Sequence, residues 1–302
     1  MPNVRDEMMH SIDKAQAALL RREKILAKQI MRAYHRARHD LVDALMQAFS
    51  QLPNEPSASQ IRTIANNLSL IRAIEARLRD LEREFSSVLT TGLTEASQAA
   101  FAQAAAEIAL LVQELGVEVF AFSVDSLLEL TIQPAIDQVP DIVAALRANL
   151  LSTIRERLAA GDRFSDIAQA VLAVNESVFS NGVTSAELMV RRSIIQANNN
   201  SKMLYYEQSG IPKLQKQVIA KVSAKTTKTC LRVHGQIKDL DEPFTITGKP
   251  SFGRKQMHPP FHWNCRTTVA PYLPQFENDS NLTTRDMRDA ARQELRDRES
   301  TP

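Results

Sequence analysis

Apolar residues recur at helical spacing through residues 4–50, as Ile12, Leu19, Leu26, Ile30, Leu41, Leu45 and Phe49, in a stretch without Gly or Pro. That period predicts one long amphipathic helix, ended by the two prolines of LPNEPSAS at 52–59. A second helix is predicted from about Ser59 to Leu89, with Ile61, Ile64, Leu68, Ile71, Ile74, Leu78 and Leu81 on one stripe. The pair reads as a helical hairpin or coiled coil, and its stripes as core or partner contact. Because the stripes run the length of each helix, they predict more apolar surface than a monomer hides, and hence self-association or the binding of a partner protein.

Residues 94–132 predict a third, acidic and Ala-rich helix, with Pro134 and Pro140 breaking the chain after it. This most apolar stretch carries Glu107, Glu114, Glu118, Asp125 and Glu129, too many charges for a bilayer span, so no membrane segment is read. Further helices are predicted at about 141–159, ending at Gly161; from GDRFSDIAQAVLAV, with Ser165 as N-cap; and from Thr184 to Gly210.

The period then changes from helical to alternating. In KLQKQVIAKVSAK, Leu214, Lys216, Val218, Ala220 and Val222 fall on one face and Gln217, Ile219 and Lys221 on the other, which predicts a strand. Gly235, Pro243, Gly248, Pro250 and Gly253 punctuate the next forty residues, so 213–273 reads as a small β-rich, loop-rich module. TTRDMRDAARQELRDRES closes the sequence as a charged helix capped by Thr283 or Thr284, with Met287, Ala291 and Leu295 as its thin apolar stripe. The fold class is therefore mainly α and elongated: a helical N-terminal part, hairpin plus bundle, followed by a small α+β C-terminal domain. The blocks along the chain are 1–93, 94–160, 161–275 and 276–302.

Charge changes this picture by where it lies. Residues 14–39 hold eight Lys/Arg, among them Arg21, Arg22 and Lys28, against Glu23 alone. Residues 94–146 hold eight acids and no Lys or Arg, and 213–266 eleven Lys/Arg against Asp239, Asp241 and Glu242. Such blocks suit docking on another copy or on nucleic acid, and are also what solvated helix faces give. Two cysteines make no disulfide framework, and MPNVRDEMMHSIDK lacks the apolar core of a signal peptide, so synthesis in a reducing cytoplasm is expected.

The distinctive chemistry sits in KTCLRVHG and HPPFHWNCRTTVAPY. Cys230, His234, His258, His262 and Cys265 are spaced C-x3-H and H-x3-H-x2-C, and the candidate zinc set is Cys230, His234, His262 and Cys265. A small module of short strands gains stability from a metal. The usual C-x2-C knuckles are missing, and two small buried thiols with loop-capping His give the same composition; a disulfide is a further alternative. A nucleophilic Cys beside a His lacks any identifiable orienting group, and no phosphate-binding loop is present. No cofactor is expected beyond that possible zinc.

These two stretches resemble the C-terminal domain of the Mu F-like phage head morphogenesis (minor head protein) family. Thr226 and Thr227 match the opening pair of its first motif, Cys230 that motif's Cys, and Val233, His234 and Gly235 its Leu-Asp-Gly end; Phe244 matches the aromatic. His262, Trp263, Asn264, Cys265, Arg266 and Thr267 match the second motif, with Pro271 as the trailing proline. The resemblance covers about 160–273. Thr227 and Thr267 stand where members of the family carry further Cys, and Trp263 where they carry Pro. With two of four Cys remaining, less than one zinc per chain is expected. The block reads as structural: it closes the β module, Trp263 plugs it, and Arg266 pairs with an acid or a phosphate.

The resemblance implies a minor head protein of a tailed phage, inside the head near the portal, acting in assembly and in DNA packaging or delivery. It implies no catalysis. Portal, major capsid or scaffolding protein would be contacted by the hairpin and the acidic helix. Non-specific double-stranded DNA would be met by the basic segments, with Lys249, Arg254, Lys255, Arg21, Arg22 and Lys28 as candidates. The alternatives are a metal-dependent nuclease, a toxin-like effector carrying the same domain, and a cytoplasmic DNA-binding protein unrelated to virions. The sequence holds only a charged helix after the second motif, which argues against the toxin.

Overall fold

The computed structural model describes residues 4–50, 68–116, 123, 125–160, 164–248, 251–277 and 283–300. The helices are α1 (Val4–Ser50), α2 (Leu68–Leu115), α3 (Asp125–Ile136), α4 (Val139–Ala160) and α5 (Phe164–Gln208), then the short α6 (Lys228–Val233) and the terminal α7 (Thr284–Ser300). The strands are β1 (Gln215–Ile219), β2 (Ile237–Asp239), β3 (Phe244–Thr245), β4 (Lys255–Gln256) and β5 (Thr268–Tyr272). The protein is thus mainly helical, with a small C-terminal part built on a few antiparallel strands. No described helix is long and apolar enough to cross a membrane.

Several predicted boundaries differ. The helices drawn at 59–89 and 94–132 are one helix through Gly92, ended at Gly116, whose φ is +63°. The acidic segment 94–132 is therefore two helices, since α3 begins at Asp125. Pro134 lies inside α3, and Pro140 in the first turn of α4, where its missing N–H costs nothing. The two helices drawn around 164 and 184 are also one, α5, which puts Ser165 inside the helix rather than at its cap. A mid-helix Gly costs about 1 kcal/mol relative to Ala. The prolines of 52–59, Ile61, Ile64 and Gly161 lie outside the described residues.

Two compact units form, each from separate stretches of chain: Met1–Lys24, Gly92–Gln133 and Arg191–Pro302 make one, Ile25–Thr91 and Pro134–Val190 the other. In the second, Leu26, Ile30, Tyr34 and Leu41 of α1 and Ile74, Leu78, Leu81, Phe85 and Leu89 of α2 are buried, with Tyr34 edge-on to Phe85 at 5.9 Å. The described part of the predicted stripes is thus buried. Large exposed apolar side chains among the described residues are Ile25, Met46, Leu130, Met257 and Trp263.

The other unit carries the sheet, ordered β2-β1-β5 and antiparallel throughout, with β3 and β4 as a separate pair. β1 is central, pairing Gln217 with Ile237 on one side and with Ala270 on the other. Its alternation is that read from the sequence. Leu214, Val218 and Ala220 enter a core with Ile108, Met203, Phe244, Phe261 and Val269, while Ile219 enters a second core with Met8, Ile12, Ala270 and Met287. Helices therefore cover both faces, since each face carries buried apolar side chains.

Candidate functional site

The two motif stretches close onto each other. Thr227 caps α6: its Oγ1 accepts the Cys230 N–H at 3.3 Å, so the short helix starts there and turns the Cys230 side chain inward. Phe261, buried edge-on against Phe244, anchors the second stretch, which a cis Pro259–Pro260 peptide precedes. Cys230 Sγ and Cys265 Sγ then lie 3.7 Å apart, both thiols free and buried. An S–S bond is about 2.05 Å, so this is a facing dithiol. His262 Nε2 stands 3.0 Å from Cys230 Sγ and 2.8 Å from Thr227 Oγ1. The ligating atoms of Cys230, His262 and Cys265 all fall within 4.8 Å of one another. Thr227 and Thr267 border this cluster.

The dithiol is electrically uneven. Its hydrogen bond to Cys265, together with burial, pushes the Cys230 thiol up. At Cys265 burial opposes ionisation, but the Cys230 thiol and the neighbouring His262 outweigh it, holding that thiol well below its usual value.

His234 is not part of the cluster. Its Nδ1 accepts the Ala220 N–H at 2.9 Å, and burial pushes its pKa down to about 4. It works as a neutral pin between α6 and the end of β1, so the predicted four-ligand set is not assembled. His258 is likewise apart, with Nδ1 2.6 Å from the Pro259 carbonyl oxygen. Gly235 has φ +73°, and a Cβ there would meet Arg288 Cγ at 3.1 Å, which accounts for the His-Gly pair. Val233 and Phe244 are core residues, Pro271 is buried opposite Lys216 in the sheet, and the Thr226 hydroxyl donates to the Lys221 carbonyl.

The exposed members of the second motif face outward. Trp263 does not plug the module: it is 44 % exposed, edge-on to Phe252 at 5.1 Å, with the Arg192 guanidinium over both rings. Asn264 Oδ1 accepts from Arg191, which also pairs with Glu23. Arg266 is exposed, and among the described residues no acid pairs with it. Arg254 and Lys255 are exposed on the loop and strand beside Phe252, Lys255 donating to Thr245 Oγ1. On α1, Arg21 and Lys28 are exposed, while Arg22 donates to the Glu95 carbonyl. Lys249 lies outside the described residues. Lys216, counted in the basic block, is buried. It donates to the Leu240 carbonyl at 2.7 Å and lies over the Phe244 ring, and burial pulls its pKa down to about 8.

Sequence reasoning missed the polar network behind the sheet. Asn199 of α5 donates to the Thr267 carbonyl and accepts the Val269 N–H, acting as a further strand along the free edge of β5. Lys202 donates to the Val269 carbonyl and pairs with Glu107 of α2 at 2.7 Å, both side chains buried. Tyr206 donates its hydroxyl to the other Glu107 oxygen. Glu107 is thus an internal residue, not part of an acidic surface offered to partners. The run Asn198, Asn199, Asn200 inside a helix was the available signal, since Asn is a poor helix former. Neither a protein-family model, a curated protein nor a solved structure matches this chain.

Proposed function

We propose that this chain is a minor head protein of a tailed bacteriophage, placed inside the head near the portal, where it serves assembly and the packaging or delivery of DNA by binding. The observation that supports the reading is the closure of the two motif stretches into one module, with Cys230, His262 and Cys265 together inside it. Those stretches carry the resemblance to the Mu F-like family, and their residues serve a shared site in the fold. Charge supports the DNA part. Lys213, Lys221, Lys225, Lys228, Arg232, Arg254, Lys255 and Arg266 are all exposed, against Asp239, Asp241 and Glu242 in the same span. None belongs to a base-reading helix, so the contact is to phosphate and without sequence preference.

Particle composition tests the assembly role. In the phage or prophage that encodes this chain, purified heads contain it in a few copies by mass spectrometry, and a nonsense mutation in its gene yields defective or empty heads. Normal heads lacking the protein, with full infectivity of the mutant, would end the proposal.

A further inference from the structure

The geometry points to a tetrahedral Zn²⁺ site with Cys230 Sγ, Cys265 Sγ and His262 Nε2 as ligands and an oxygen in the fourth position, beside Thr227. Two Zn–S bonds of about 2.3 Å at the tetrahedral angle place their sulfurs roughly 3.7–3.8 Å apart. The observed separation is 3.7 Å. A Zn–N bond of about 2.0–2.1 Å sets the S–N edge at roughly 3.5 Å, so the 3.0 Å contact between Cys230 and His262 opens by about half an ångström on loading.

Hydrogen bonding does not account for the arrangement as well as a cation does. One ring nitrogen faces both Thr227 Oγ1 and Cys230 Sγ. A neutral Nε2 offers one lone pair or one proton, not both at once. A cation at the centre satisfies the nitrogen and both sulfurs at once. The surroundings are those of a structural metal: all three ligands are buried, they come from the first turn of α6 and the loop before β5, and the sheet beside them is small. The site differs from the set expected from sequence spacing by omitting His234, which is occupied by Ala220. A resident zinc would tie the two stretches together and require both thiols to lose their protons on binding.

The test uses the purified full-length chain, kept reduced, stripped with chelator and titrated with Co²⁺. The expected result is a sulfur-to-cobalt charge-transfer band and the intense visible bands of tetrahedral cobalt. They saturate at one equivalent, Zn²⁺ bleaches them, and the thermal midpoint rises. Cys230→Ser and Cys265→Ser abolish the bands and His262→Gln weakens binding at least tenfold, while His234→Gln leaves it unchanged. Thr227→Cys tightens zinc binding by tenfold or more, a gain that no misfolded variant could give. Two titratable thiols with no cobalt band would overturn the assignment, as would bands that survive loss of either Cys. The proposal stands apart from nucleic-acid binding, and its failure would leave the salt-dependent binding of DNA unaffected.

Discussion

His234 shows how a single side chain can look like a ligand and serve as a brace. Its ring must stay neutral to accept the Ala220 N–H, and burial holds its pKa at about 4. In the unfolded chain a histidine titrates near 6.5, so between about 6.5 and 4 the unfolded state binds the extra proton. Stability contributed by the neutral ring is present above that window and lost as pH falls through it, by on the order of 2–3 kcal/mol. Thermal midpoints measured from pH 7 to pH 4 should fall for the wild type and fall less for His234→Gln, whose amide oxygen can accept the same N–H. Equal slopes would contradict the role. The C-x3-H spacing could not reveal it, because spacing brings a side chain near without fixing where it points.

Glu107 and Lys202 carry the same lesson at higher stakes. They lie 95 residues apart, and neither reads as internal in its own segment. Together with Tyr206 and the Val269 carbonyl they form a satisfied buried network. Removing one partner strands the other charge, at a cost of about 3–5 kcal/mol, whereas replacing both with apolar residues restores most of it. Denaturant midpoints of Glu107→Leu, Lys202→Met and the double variant should show both single variants strongly destabilised and the double variant recovering. Additive losses would mean that the pair is not coupled.

Among the elements, α7 is more than a charged tail. Thr283 accepts the Asp286 N–H and donates its own N–H and O–H back to Asp286, a closed N-terminal cap. Met287 and Ala291 are buried, Arg288 donates twice to the Gly235 carbonyl, and Arg298 reaches the Thr226 and Ser223 carbonyls. The helix thus fastens the loop that leads into Cys230. Met287→Asp should destabilise the protein by roughly 3 kcal/mol or more, burying a charge where an apolar side chain packs. Arg285→Ala, at an exposed position, should be nearly neutral. Comparable midpoints for the two would contradict the fastening role. The apolar stripe and cap of this helix were legible in the sequence, as was the strand alternation of β1, because both rest on local period and capping chemistry. The join at Gly92 was not: local propensity marks a break, and the burial of Leu89, Leu93 and Ala96 on either side overrides it. The convergence of Cys230 with Cys265 was legible from two motifs closing one module, whereas the outward position of Trp263 depends on Arg192 and Phe252, which no spacing connects to it.

At the scale of the whole molecule, the central proposal is that the C-terminal module binds phosphate through its surface charge. Eleven Lys/Arg against three acids in 213–266 set the sign, although Lys216 is internal and does not contribute to the surface. The most direct measurement is an electrophoretic shift titration of the full-length protein on duplexes of unrelated sequence, repeated from 50 to 200 mM salt. If about five phosphates are neutralised, affinity falls on the order of a hundredfold across that range, alike for every duplex. The triple variant with Lys249, Arg254 and Lys255 replaced by Ala binds more weakly with a flatter salt slope and an unchanged melting midpoint. Absence of any shift at 50 mM salt, or affinity that ignores salt, would contradict the proposal.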